Sequence, residues 1–430
     1  MTAPDFAIDV DAAIRGLKDF QRSTVDYVFR RMWLDDDRTH RFLVADEVGL
    51  GKTMVAKGVI AKTVEHLRRE NVERIDVVYI CSNAEIARQN IARLSILGDA
   101  RFHHSSRITL LPTLIRDIAT NPVNFISFTP KTSFEVGRTD GMASERILIY
   151  RLLKQAWALG EAAGPKNLLQ GGVRDAERFR DWIATSEREQ PIDDGLAARF
   201  REALVRRDML AAQKGEDGLQ ERFEDLLARF PRAGSSIPKD LRIARSRLVG
   251  DFRQLLARTC IHALEPDLVI LDEFQRFKHL LGADEEDENP AAELAEVLFN
   301  YEEREDLGKT RVLLLSATPY RMYTMAGETV DDDHYRDFVD TLRFLQDDPG
   351  RTTQVETLLR SYKAALYRMA EDGGEQLRAV KAELESALRR VMVRTERLGA
   401  STDRNGMLYE VPTQDLRLEA RDAMAFRESQ

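Results

Sequence analysis

The chain has 430 residues, 43% hydrophobic and 32% charged, with a formal net charge of −9. That length allows two or three domains with well-buried cores, and the composition is that of a folded globular chain. Cys81 and Cys260, the two cysteines, cannot build a disulfide framework or by themselves a zinc site, which points to a reducing, cytoplasmic setting. No run of about eighteen apolar residues exists. The first residues, MTAPDFAIDVDAAIRG, lack a basic stretch followed by an apolar one, so neither a membrane span nor a secretory signal is expected. The acidic balance argues mildly against a nucleic-acid binder but leaves room for a basic groove on an acidic body.

In chain order, six short apolar runs read as buried strands: 40–46, 75–81, 107–111, 123–128, 267–272 and 311–316. They lack clear alternation, as expected of a parallel sheet covered on both faces. Helical spacing fills 53–70 and 83–97. Strand and helix in this succession predict an α/β doubly wound core. From 141 to 261 strand signals stop, and Arg, Glu, Ala and Leu recur at helical spacing, as in LAARFREALVRRDMLAAQ (196–213). This reads as a helical insertion, because a structureless loop of that length is improbable in a compact domain. Residues 141–262 hold 22 Lys and Arg against 18 Asp and Glu. So slight a basic excess reads first as a solvated helical face, with a nucleic-acid contact as the alternative. ADEEDENPAAE (283–293) reads as an acidic loop entering a helix, and 354–398 as helical again. The expected organisation is one lobe from 1–140 and 262–350, the insertion at 141–261, and a helical segment and linker from 351 to 430.

The tripeptide GKT occurs twice. In RFLVADEVGLGKTMVAKGVIAK (41–62) an apolar strand enters a glycine-bearing turn and a helix follows, the context a phosphate loop requires. Gly49 and Gly51 permit the turn and a close backbone approach to phosphate, and the helix N-terminus adds its positive end. Lys52 can reach the β- and γ-phosphates of a nucleotide, and the Thr53 hydroxyl can ligate Mg²⁺. Asp46 stands where the usual G-x-x-x-x-G-K-[ST] pattern has its first glycine. The second tripeptide, Gly308-Lys309-Thr310, precedes an apolar run instead of following one and reads as a surface turn. In PDLVILDEFQRFKHLL (266–281), Asp272 and Glu273 end an apolar strand. There Asp272 can hold Mg²⁺ through water, and Glu273 can orient and activate an attacking water.

Taken in order, these motifs resemble the first RecA-like lobe of superfamily 2 helicases and translocases. LKDFQ (17–21) resembles the adenine-reading segment, DEVGLGKT (46–53) motif I, YICSNAEIARQNIARL (79–94) motif Ia and FISFTPKTSF (125–134) motif Ib. DEFQ (272–275) resembles motif II, the DEAD/DEAH box, and SATP (316–319) motif III. The resemblance covers roughly 15–320 outside the insertion. DEVGLGKT, DFVDTLRFLQ (337–346) and RRVMVRTERL (389–398) are similar to the bacterial Swi/Snf-like group, although DEFQ and SAT stand where that group usually has DEAH and SGT.

The resemblance implies an ATP site from Asp46, Glu47, Val48, Gly49, Leu50, Gly51, Lys52 and Thr53, with Gln21 on adenine and Mg²⁺ on Thr53 and Asp272. Lys52, Asp272, Glu273 and Gln275 would be catalytic, Gln275 sensing the γ-phosphate. Ser316, Ala317 and Thr318 would couple nucleotide state to the track. Ser82, Asn83, Thr129 and Pro130 would touch the backbone of a nucleic acid, duplex DNA first, with helix caps and a turn as their equal alternative. Such an enzyme needs a second RecA-like lobe with an arginine finger, worth about 10³–10⁵ in rate. Residues 320–430 hold no Q-x-x-G-R-x-x-R pattern, so the second lobe is expected in a longer protein or on another chain. A nucleotide-dependent scaffold protein and an RNA helicase are the alternatives. DNA repair and phage defence are settings suggested by analogy alone.

Overall fold

The computed structural model describes residues 10–47, 49–94, 102–137, 139–173, 175–229, 238–282, 289–302, 308–316, 334–368 and 374–395. Seven strands form one sheet: β1 Arg41–Val44, β2 Ile75–Cys81, β3 Phe102–His104, β4 Val123–Phe128, β5 Leu268–Asp272, β6 Arg311–Leu315 and β7 Met392–Val393. Their order is β3-β4-β2-β5-β6-β1-β7, and every pairing is parallel. The five longer strands are buried at every residue, because helices cover both faces. That is why their sequences read as unbroken apolar runs.

Successive side chains along a strand enter opposite cores. Leu43, Val78, Ile126, Leu271 and Leu314 point into one. Phe42, Val77, Phe125, Ile270 and Leu313 point into the other. After the short α1 (Val10–Arg15), the helices α2 (Asp19–Phe29), α3 (Lys52–Arg69) and α4 (Ala84–Leu94) close the second core, and the short α5 (Ile115–Thr120) precedes β4. In α3, Val55, Val59, Ile60, Val64 and Leu67 make one buried stripe, and Arg68 and Arg69 complement the dipole in its last turn.

Two expectations about secondary structure are corrected. Residues 107–111 are not a strand; Ile108–Thr113 is a 3-10 helix, and the edge strand is β3, paired to β4. Pro112 has no N–H for a ladder, and its fixed φ suits a helical turn. Ile108 and Leu111, three residues apart, share one side of such a turn, and both are buried. The helical reading of 354–398 fails at its end, where Met392–Val393 is β7. Leu43 N–H donates to Val391 O and Ala45 N–H to Val393 O, each at 2.8 Å. The β-branched Val391 and Val393 suit this pairing, which covers the second edge of β1.

Between β4 and β5 run the short helices α6 (Pro130–Ser133) and α8 (Ala163–Gln170) and the longer α7 (Ala143–Ala156), α9 (Ala176–Glu189), α10 (Asp194–Lys214), α11 (Leu219–Arg229) and α12 (Lys239–Leu264). Ile149, Phe200, Phe223 and Phe252 from these helices share the first core with the sheet. A buried ion pair fastens α7 and α12 to the loop between α6 and α7. Arg253 is 1% exposed and Glu145 0%, with Arg253 Nε 2.9 Å from Glu145 Oε1. Arg253 also donates to Glu135 O at 2.8 Å. The Thr109 hydroxyl donates to Glu145 Oε1, and Met142 N–H to Oε2, both at 2.6 Å. Among the described residues no helix is long and apolar enough to cross a membrane.

Removing one partner of a buried pair strands the other charge, at a cost of about 3–5 kcal/mol. Arg253→Ala is expected to lower the unfolding free energy by that amount in urea, and Arg253→Met with Glu145→Met to lose less. A double variant that loses more than the single one would contradict this account. A pH dependence follows from His40, whose Nδ1 accepts from Arg311. Burial, then the charge of Arg311, lowers its pKa to about 4. The unfolded chain takes up this proton near pH 6.5. The contribution to stability is therefore complete above pH 6.5 and lost as pH falls through 4. His40→Gln is expected to flatten that part of the Tm-against-pH curve, and parallel curves for the two proteins would refute it.

Candidate functional site

The carboxyl ends of the parallel strands share one edge, where ligands bind in sheets of this kind. β1 leads into Asp46, Glu47, Gly49, Leu50 and Gly51. β2 leads into Ser82 and Asn83, and β4 into Thr129 and Pro130. β5 ends at Asp272, with Glu273 next, and β6 is followed by Ser316. Val48, Ala317 and Thr318 lie outside the described residues. β6 pairs with both β1 and β5. The loop after β1 and the carboxylates after β5 are therefore two strand spacings apart, about 10 Å.

Gly49 and Gly51 hold φ of 85° and 83°, a region open to glycine at little cost. Gly51 begins α3, and a Cβ there would lie 2.6 Å from Gln21 Nε2. Gln21 is buried. Its Oε1 accepts from Lys18 N–H at 2.9 Å, and its Nε2 donates to Leu50 O at 2.8 Å. The residue expected to read adenine thus also braces the glycine loop. Beyond the loop, Met54 N–H donates to Gly51 O at 2.8 Å, and the N–H groups ahead of it precede the first full turn of α3.

Lys52 Nζ donates to Asp46 O at 3.2 Å. Its pKa is lowered by burial, and the nearby carboxylates of Glu273, Asp46 and Asp272 pull it back up in part. Lys52 and Thr53 are half-buried, and Asp46 is fully buried. Asp272 is 8% exposed, and two donors converge on one of its oxygens. The Tyr79 hydroxyl donates to Oδ2. Asn90 Nδ2 donates to the same Oδ2 at 3.1 Å and to Tyr79 Oη at 2.9 Å. Burial, then the Asp272 charge, raises the Tyr79 pKa, so the phenol stays protonated as a donor. No hydrogen bond among the described residues occupies Oδ1.

Glu273 takes a left-handed backbone, φ 54° and ψ 44°, uncommon for a residue with a Cβ. Its N–H donates to Leu315 O at 3.1 Å, extending the β5–β6 ladder as the chain turns into the 3-10 helix Phe274–Leu280. Gln275 Nε2 donates to Ser316 Oγ, while Gln275 Oε1 is buried with no hydrogen-bond partner among the described residues. Ser316 N–H donates to Val44 O at 3.0 Å. Ser316 therefore links the turn after Asp272 to the strand that feeds the glycine loop.

The nucleic-acid candidates reach the same edge as caps and turn residues. Asn83 is exposed and caps α4, its Oδ1 accepting from Glu85 N–H at 2.8 Å. Ser82 and Thr129 are half-buried. Pro130 is buried at the first position of α6, where its missing N–H costs nothing, so it offers no surface to a backbone. The second GKT stands at the opposite, amino edge of the sheet. Gly308 turns at φ 68°, Lys309 Nζ lies 3.3 Å from Asp347, and Thr310 Oγ1 donates to Pro266 O at 2.8 Å.

Sequence reasoning missed Tyr79 and Asn90. A signal was present for each. Tyr79 lies mid-strand in a buried run, where a phenol needs a partner. Asn90 interrupts the apolar stripe of Ala87, Ile91 and Leu94, where an amide needs one.

The left-handed Glu273 yields a stability prediction. A Cβ in this region costs roughly 1–2 kcal/mol, and glycine gives back part of the relief through the unfolded chain. Glu273→Gly is expected to be about 1 kcal/mol more stable than Glu273→Ala, read as the difference in urea midpoints. Equal midpoints would show that the backbone here is unstrained. Compared with protein-family models and with curated proteins, the sequence finds no match in either.

Proposed function

We propose that this chain is the RecA-like, ATP-binding lobe of a nucleic-acid helicase or translocase. It would hydrolyse ATP with Mg²⁺ when a second lobe completes the site. The observation that carries this reading is the meeting of Lys52, at the head of α3, with Asp272 and Glu273 at one sheet edge. A glycine turn serving only as a turn has no need of a half-buried lysine among three carboxylates.

The donor set suits a magnesium nucleotide. Lys52 and the α3 N-terminus would hold phosphate oxygens. The Thr53 hydroxyl and Asp272, whose Oδ1 takes no hydrogen bond among the described residues, would hold Mg²⁺, an ion commonly bound by one or two carboxylates together with substrate phosphates and water. Among the described residues no group of three or more His, Cys, Asp or Glu is arranged for a metal, and this mode of binding requires none. Bound Mg²⁺ would neutralise charge on the β- and γ-phosphates. The Glu273 carboxylate would orient a water and take its proton as the water oxygen bonds to the γ-phosphorus and the bond to the β-phosphate oxygen breaks. Gln275 and Ser316, already bonded to each other, would pass nucleotide state toward Ala317 and Thr318.

Duplex DNA is the proposed partner, engaged near Ser82, Asn83 and Thr129 through its sugar-phosphate backbone. With a net charge of −9, the attraction would be local. The site sits at an edge that a second lobe could close.

Two titrations test the reading. With a fluorescent ATP analogue and Mg²⁺, Lys52→Ala is expected to weaken binding about 10–100-fold, the loss of hydrogen bonds worth about 1.5–3 kcal/mol. Equal affinity for the two proteins removes the nucleotide site. Glu273→Gln is expected to keep binding but, with a partner lobe present, to slow hydrolysis about 10²–10⁴-fold. In the second titration, affinity for duplex DNA should fall steeply as salt rises. Flat or absent DNA binding would favour the scaffold reading instead.

A further inference from the structure

Asn90 is a polar side chain on the packed side of a helix. α4 buries Ala87, Ile91 and Leu94, and Asn90 falls in the same stripe. Its amide reaches through the packing to Tyr79 Oη and Asp272 Oδ2, at 2.9 and 3.1 Å. Tyr79 donates to that same Oδ2. The two donors differ in what carries them. β2 is laddered on both sides, to β4 and to β5, so Tyr79 is fixed in the sheet together with Asp272. α4 lies on the sheet through apolar side chains, and packed helices can shift by about 1–2 Å between states. The helix is capped by Asn83 at the carboxyl edge. Asn90 stands two turns further on, about 10 Å along the axis. A displacement at the cap therefore reaches Asp272 through one rigid element.

We propose that Asn90 is a positioning residue that couples the two ligands of this lobe. Nucleic acid engaging the Ser82–Asn83 end of α4 would change, through Asn90, how Asp272 meets the metal of a bound nucleotide. The inference rests on the nucleotide and nucleic-acid reading above. With α4 seated, two side chains hold Oδ2 and leave Oδ1 for the metal. With α4 displaced, Tyr79 holds the carboxylate alone. Coupling of this kind is reciprocal, so a bound magnesium nucleotide changes nucleic-acid affinity by the same factor. A hydrogen bond to a charged oxygen is strong enough for the 5–150-fold range that such couplings span.

The experiment uses the full chain, Mg²⁺ and a fluorescent ATP analogue, titrated with and without a saturating duplex DNA oligonucleotide. The readout is the ratio of the two dissociation constants. The wild type is expected to show a ratio of about ten. Asn90→Leu matches the apolar stripe and so keeps the helix packed, but it donates nothing. Its ratio is expected to fall to within about twofold of one. Tyr79→Phe is expected to weaken magnesium-dependent binding equally with and without DNA, which keeps the ratio near the wild-type value. The relay is overturned if Asn90→Leu keeps the wild-type ratio. It is equally overturned if the wild type binds nucleotide with a ratio of one, and in that case the nucleotide reading stands. A wild type that binds no nucleotide at all overturns that reading first, and the relay with it.

Discussion

The constraint on which the site depends is the register of β6 between β1 and β5. Val44 pairs with Leu315, Leu315 with Asp272, and Asp272 with Cys81. These four residues form one row across the sheet, level with the start of the glycine loop. Lys52 and the Asp272–Glu273 pair are far apart in the chain, yet their separation follows from two ladder spacings. A slip of one residue in β5 would turn Asp272 to the opposite face, away from Tyr79 and Asn90. Because β1, β5 and β6 are buried on both faces, such a slip would also invert the packing of two cores. The geometry of the candidate site thus inherits its precision from backbone pairing and apolar burial.

That rigid frame accommodates several locally unfavourable choices. Lys52 is half-desolvated, Glu273 sits in a left-handed conformation, and Gln275 keeps a buried carbonyl oxygen with no partner among the described residues. Each costs stability, and all three lie within a few residues of one sheet edge. Strain of this kind persists where surrounding structure over-determines it. Here the over-determination is visible: Glu273 N–H is bonded to Leu315 O, and Ser316 N–H to Val44 O. The turn after Asp272 has little freedom to relax.

What the sequence made legible follows from which signals are local. β1, β2, β4, β5 and β6 were readable because burial on both faces leaves an unbroken apolar run. The segment 107–111 has the same composition, but Pro112 and the spacing of Ile108 and Leu111 favour a 3-10 turn. β7 has two residues and owes its existence to the open edge of β1, a fact stored elsewhere in the chain. The glycine loop was readable from its strand–turn–helix context. That Gln21 braces the loop was not, because it depends on the missing Cβ of Gly51 some thirty residues away. Tyr79 and Asn90 each broke a pattern, but nothing near them in sequence named Asp272 as the partner.

The two faces of the sheet carry different tasks. Gln21 on α2, Lys52 on α3 and Asn90 on α4 all belong to helices that close the second core, and Tyr79 and Asp272 point to that side as well. The helices between β4 and β5 close the first core. Substitutions on the outer surface of those helices therefore fall on the face of the sheet opposite Lys52, Tyr79 and Asp272. The buried pair of Arg253 and Glu145 grips Glu135 and Met142 in the loop between α6 and α7. Thr129 lies at the other end of the one-turn α6, at the edge where nucleic acid is proposed to bind. Through this clamp, through Arg146, Arg245 and Ser246 on Asp140 and Gly141, and through Ala45 and Phe274 packed among them, the helices of the first core bear on the candidate site as well.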